Sequence, residues 1–132
     1  VILRVAVLMK AWYEWAAHVD RGLASGLSIE DIERVAAGPA AADWSEKDSD
    51  LLRSVDALVA ERCLQPYLRM QLERHFSERQ ILDIVSLQGM YVTIASMLAT
   101  WPIEIEDAVL RRIPESVTEQ SFADLISAAN RD

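Results

Sequence analysis

The sequence predicts an all-α fold, and three observations carry that expectation. Apolar residues recur at three- and four-residue steps through almost every segment. No stretch alternates apolar and polar residues between turn signals, as a half-buried strand would. Glycine and proline are scarce, four of each, and apart from Gly22 and Gly89 they sit at the ends of segments. About six helices are expected, in one domain spanning residues 1–132.

The first helix is expected to run from Val1 to Leu23. Val5, Leu8, Met9, Trp12, Ala16, Val19 and Leu23 make one broad apolar face. Arg4, Lys10, Glu14, His18 and Arg21 fall on the other side, and Lys10, Glu14 and His18 are spaced four apart, along one line. Gly26 follows as a C-terminal glycine. Ser28 caps a second helix, Ile29 to Ala37, with Glu30 and Asp31 in its first turn, and Gly38-Pro39 ends it.

A link, Ala40-Ala41-Ala42-Asp43-Trp44, leads to Ser45, the cap of a third helix with the stripe Leu51, Leu52, Val55, Leu58 and Val59. Pro66 opens a fourth helix that ends near His75. Ser77 and Gln80 form a capping box for the longest segment, Glu78 to about Ala99, which Trp101-Pro102 stops. An extended piece, Pro102 to Ser116, precedes a last helix capped by Thr118 and holding Phe122, Leu125 and Ile126.

Composition excludes several function classes. A net charge of −8 argues against nucleic-acid or anionic-membrane partners, which require clustered Lys and Arg. The one cysteine, Cys63, provides neither a disulfide framework nor a Cys-x-x-Cys motif, and it reads as a small buried hydrophobe. No apolar run approaches the roughly 20 residues of a membrane span. The opening VILRVAVLM is interrupted by Arg4 and lacks a small-residue cleavage site, so it does not read as a signal segment. A soluble, reducing, cytoplasmic setting is expected. The chain starts mid-pattern without Met, and native residues upstream of Val1 are expected.

Candidate chemistry concentrates in Trp12-Tyr13-Glu14-Trp15-Ala16-Ala17-His18. Glu14 stands one turn before His18, the spacing of an acid/base pair. Spacing alone favours a plain solvated face, where such a pair contributes only about 0.2–0.5 kcal/mol. Trp12, Tyr13 and Trp15 point in different directions around the helix, which argues that its polar line borders a cleft or a subunit neighbour rather than bulk water. Tyr91 reads as a packed residue, able to donate a hydrogen bond into the site if its helix crosses the first. His75, beside Glu73 and Arg74, reads as a surface or C-capping residue. No metal is expected at His18, because no acidic cluster at ligand spacing accompanies it.

The stretch LRVAVLMKAWYEWAAHVDRGLASGLSIEDIERV resembles the signature region of the carboxymuconolactone decarboxylase family, whose superfamily includes alkylhydroperoxidase D-like proteins. The likeness rests on Tyr-Glu-Trp-x-x-His followed by Gly-Leu-Ser and an acidic turn. It continues more weakly through Trp44-Ser45, Leu51-Leu52 and Phe76-Ser77-Glu78-Arg79-Gln80 to Gly89 and Tyr91, covering about Leu3 to Leu98. It implies a helical domain that forms a homo-oligomer, a trimer or hexamer, with its active site near a subunit interface.

Aligned on His18, the peroxidase-type Cys-x-x-Cys-x-x-x-His motif puts Glu14 at the attacking cysteine and Ala11 at the resolving one. Thiol–disulfide exchange needs a thiolate and a second sulfur, so thiol peroxidase chemistry is disfavoured. What the resemblance implies instead is a lyase-type reaction without a cofactor, proton transfer or decarboxylation on a small carboxylated or carbonyl metabolite. His18 would be the general base or acid, and Glu14 would orient it or exchange the proton. The alternative is a non-catalytic helical homo-oligomer that keeps the fold.

Overall fold

A computed structural model of the chain describes residues 1–129. They form eight helices and no strand: α1 (Ile2–Leu8), α2 (Trp12–Ala24), α3 (Ile29–Ala37), α4 (Glu46–Glu61), α5 (Pro66–Glu73), α6 (Glu78–Thr100), α7 (Asp107–Leu110) and α8 (Glu119–Ala129). The all-α expectation holds. Most local punctuation also falls where the residues put it. Ser28 with Asp31 and Ser77 with Gln80 form complete capping boxes. Ser45 Oγ accepts from the Asp48 N–H, and Thr118 Oγ1 from the Ser121 N–H.

The count exceeds six for two reasons. The expected first helix is two helices, broken at Met9-Lys10-Ala11. Lys10 adopts the left-handed conformation, φ 54°, with its N–H on the Val7 carbonyl at 3.1 Å and the Ala11 N–H on the Ala6 carbonyl at 2.8 Å. That pair of bonds is a Schellman closure, which glycine usually provides and lysine here adopts at a steric cost of about 1–2 kcal/mol. The break also removes Lys10 from the line of Glu14 and His18. Second, the piece expected to be extended from Pro102 to Ser116 contains the single turn α7.

Helix α1 is the hub. Leu3, Arg4, Val5, Ala6 and Val7 are all buried, and the helix packs against α2, α3, α4 and α6. Arg4, expected on the solvated side, lies inside. Its Nε and Nη2 donate to the Asp56 carboxylate at 2.6 and 2.8 Å, and Nη1 donates to the Val35 and Ala36 carbonyls at 3.1 and 2.9 Å. A buried charge is tolerable only when paired and hydrogen-bonded in this way. Gly38, at φ 103°, makes room for it, since a Cβ there would stand 3.0 Å from Arg4 Nη2.

The main core joins Leu3, Ala6, Val7, Trp15, Ala16, Val19, Ile32, Ala36, Ile113 and Phe122. Trp15 stacks on Phe122 of α8 with ring centroids 5.2 Å apart, so the C-terminal helix closes over α2. Tyr13 Oη donates to Glu106 at 3.0 Å and Arg112 Nε to Asp20 at 2.9 Å, bracing α2 against the segment around α7.

Helix α6 buries Ile81, Ile84, Gln88 and Ala95 and leaves Leu82, Met90 and Met97 exposed, with Trp101 exposed at its C-cap. By length and composition it is long and apolar enough to cross a bilayer, with 22% of its apolar window buried. The sequence expectation of no such run therefore does not hold for this helix.

Candidate functional site

The residues singled out on α2 are not solvated. Glu14 is 2% exposed and His18 is 8% exposed, so the polar line opposite the apolar stripe is itself enclosed by protein. A helix with both faces covered needs packing on two sides, which α1, α3 and α8 provide on one and Tyr91 of α6 on the other.

His18 is tightly specified. Its Nδ1 lies 2.9 Å from the backbone carbonyl of Glu14, and its Nε2 lies 3.1 Å from both Tyr91 Oη and Arg21 Nη1. A guanidinium has no acceptor, so Nε2 must carry the lone pair and Nδ1 the proton, which it donates to the Glu14 carbonyl. The ring is thus a neutral imidazole. Burial is the main force holding its pKa below the ordinary 6.5; the Glu14 carbonyl opposes it and Arg21 adds to it. Tyr91 also meets the imidazole edge to face, with centroids 5.0 Å apart.

Glu14 is in a different situation. Both its carboxylate oxygens are buried and neither makes a hydrogen bond. Burial without compensation pushes its pKa from 4.5 to about 7. The acid/base pair expected from the spacing is therefore not a side-chain contact. The Glu14 backbone orients His18, and the carboxylate is a separate proton-exchanging group. Without a carboxylate partner, the charged form of His18 is disfavoured.

Tyr91 donates into the site, as anticipated for a crossing of the two helices. Arg21 was missed, although its place three residues after His18 puts it on the same face. Cys63 is exposed rather than buried, at the open turn between α4 and α5. His75 is not a simple surface residue: its side chain is 18% exposed and its Nε2 is 3.4 Å from Asp50 Oδ2.

Two clefts flank these helices without being lined by Glu14 or His18. One of about 390 Å³ is lined by Trp15, Ile29, Ile32, Val117 and Leu125 among others. Another of about 470 Å³ is lined by residues including Met9, Leu58, Val85, Gln88 and Val92. Comparison with protein-family models, with curated proteins and with solved structures finds no match to this chain.

Proposed function

We propose that the protein is a cofactor-free acid/base enzyme, of the carboxymuconolactone decarboxylase-like kind that its Tyr-Glu-Trp-x-x-His segment resembles. Its substrate would be a small carboxylated or carbonyl metabolite, handled by a homo-oligomer in a reducing compartment. The observation that carries the reading is Glu14, a buried carboxyl with no hydrogen-bond partner and a pKa near 7. A general acid or base works best when its pKa lies near the working pH, and burial is the usual means of bringing a carboxyl there.

In this reading Glu14 is the proton carrier. When a carboxylate leaves as CO2, the electron pair of the broken C–C bond passes to the remaining carbon framework. An adjacent carbonyl stabilises that pair as an enolate, and a proton must then be delivered to carbon. A protonated Glu14 delivers it and is recharged from solvent, steps that require a motion opening α2, since the flanking clefts of about 390 and 470 Å³ do not reach the buried carboxyl. Neutral His18, held by the Glu14 carbonyl, fixes Tyr91 and Arg21 beside it, and Arg21 supplies positive charge for an anionic substrate.

The test is CO2 release from carboxylated lactones and β-keto acids by the wild type and by Glu14→Gln. Turnover that falls at least 100-fold in Glu14→Gln with the fold retained is expected. Unchanged turnover in that variant removes Glu14 from the chemistry.

A specific observation favours a second reading, a helical homo-oligomer without chemistry. Leu82, Met90, Met97 and Trp101 leave an apolar side of α6 open, and a second copy of the chain would cover it. Both readings assemble, so they separate on whether the wild type turns over any of these substrates and whether Glu14→Gln abolishes that turnover.

A further inference from the structure

Outside α2, one cluster combines two buried polar atoms that make no hydrogen bond. Glu46 and Asp50 lie one turn apart on α4 and share a face. The turn between α5 and α6 brings His75 to that face. One potential ligand atom from each of the three residues lies within 4.8 Å of the others.

Asp50 is 3% exposed, and its Oδ2 faces His75 Nε2 at 3.4 Å. Neither atom makes a hydrogen bond. Buried polar atoms left without a hydrogen bond destabilise the fold. A cation between them satisfies both lone pairs at once.

The spacing suits such an ion. Two ligands each about 2.0–2.1 Å from Zn²⁺ at a tetrahedral angle stand roughly 3.3–3.4 Å apart. One oxygen of each carboxylate is already engaged: Arg74 Nη1 holds Glu46 Oε1 at 2.7 Å, and Arg53 Nη1 lies 3.4 Å from Asp50 Oδ1. Carboxylates that bind metals are commonly oriented by hydrogen bonds to their free oxygens. Both arginine side chains are about half exposed, which screens their charge from the site.

The geometry points to Glu46, Asp50 and His75 as a binding site for a first-row divalent cation of the zinc class, clipping α4 to the α5–α6 turn. An imidazole with two carboxylates suits Zn²⁺, Co²⁺, Mn²⁺ or Fe²⁺ rather than Ca²⁺ or Mg²⁺, which take oxygen ligands. Remaining positions on the ion go to water.

The rival is a plain ion pair between Asp50 and protonated His75, and the test is built to tell them apart. Chelator-stripped full-length chain is titrated with Co²⁺, followed by visible absorption, and with Zn²⁺, followed by calorimetry. One ion per chain is expected, with Zn²⁺ displacing Co²⁺. Affinity should fall at least 100-fold in His75→Gln and at least 10-fold in Glu46→Gln, an exposed position where folding is not at risk. In nitrogen NMR, Zn²⁺ should move the Nε2 resonance of His75 and leave His18 unmoved. No binding by the wild type overturns the proposal, as does undiminished binding in His75→Gln. A His75 resonance that responds to pH but not to Zn²⁺ establishes the ion pair instead.

Discussion

His18 is fixed by the backbone of Glu14 and not by its carboxylate: Nδ1 meets the carbonyl at 2.9 Å, while both carboxylate oxygens stay without a hydrogen bond. The two side chains consequently titrate in opposite senses. Burial raises the acid and lowers the base, so in each case the neutral form is favoured.

Glu14 predicts an unusual pH dependence of stability. Its pKa is 4.5 when unfolded and about 7 when folded, so between those values the folded state binds the extra proton. Stability therefore falls as pH rises from about 4.5 to 7, by on the order of 3 kcal/mol if the full shift is expressed. Glu14→Gln should remove that slope and be more stable than the wild type at pH 8. The comparison is Tm against pH for the two proteins, and parallel curves would show that the carboxyl ionises without penalty.

His18 acts in the other direction. Its folded pKa is depressed, so its contribution is complete above the unfolded value near 6.5 and is lost as pH falls below it. Nitrogen NMR at pH 7 should find the ring neutral with its proton on Nδ1. Tyr91→Phe removes one donor to Nε2 and should cost about 0.5–1.5 kcal/mol while leaving the tautomer intact. A charged ring at pH 7 would contradict the acceptor role assigned to Nε2.

Thiol peroxidase activity should be absent. The chain has one cysteine, Cys63, an exposed thiol with no second sulfur to resolve a disulfide. Hydroperoxide consumption with a dithiol reductant is measured before and after alkylation of Cys63. Turnover abolished by alkylation would reinstate that residue.

Self-association should run through α6. Leu82 is 63% exposed and Met97 55% exposed, so charging them costs little in the monomer. Sedimentation at micromolar concentration should give a multiple of 14.8 kDa for the wild type and smaller species for Leu82→Glu with Met97→Glu. A wild-type monomer ends the oligomer reading.

Arg4→Ala should be among the most damaging single changes. It leaves two backbone carbonyls without the donor Arg4 provides and takes the partner from Asp56, whose side chain is 30% exposed, at a cost of about 1–3 kcal/mol. Denaturant unfolding measures it; a loss under 1 kcal/mol would mean the pair is screened by water.

By itself the sequence determined the helical class and most helix ends. Caps at Ser28, Ser45, Ser77 and Thr118, proline at the start of α5 and the left-handed Gly26 (φ 95°) are settled by atoms a few residues apart, so their residues declare them. Only the tertiary structure decided where the polar residues went. The break at Lys10 carries no glycine signal, because a lysine was driven into a conformation whose cost packing on both sides outweighs. Glu14 and His18 read as outward from one helix alone, yet other helices cover that face, and Arg4 found Asp56 fifty-two residues away. Likewise Cys63 lies open while His75, in the α5–α6 turn, meets Asp50 of α4. Burial depends on which distant element covers a side chain, and periodicity within one helix describes only that helix.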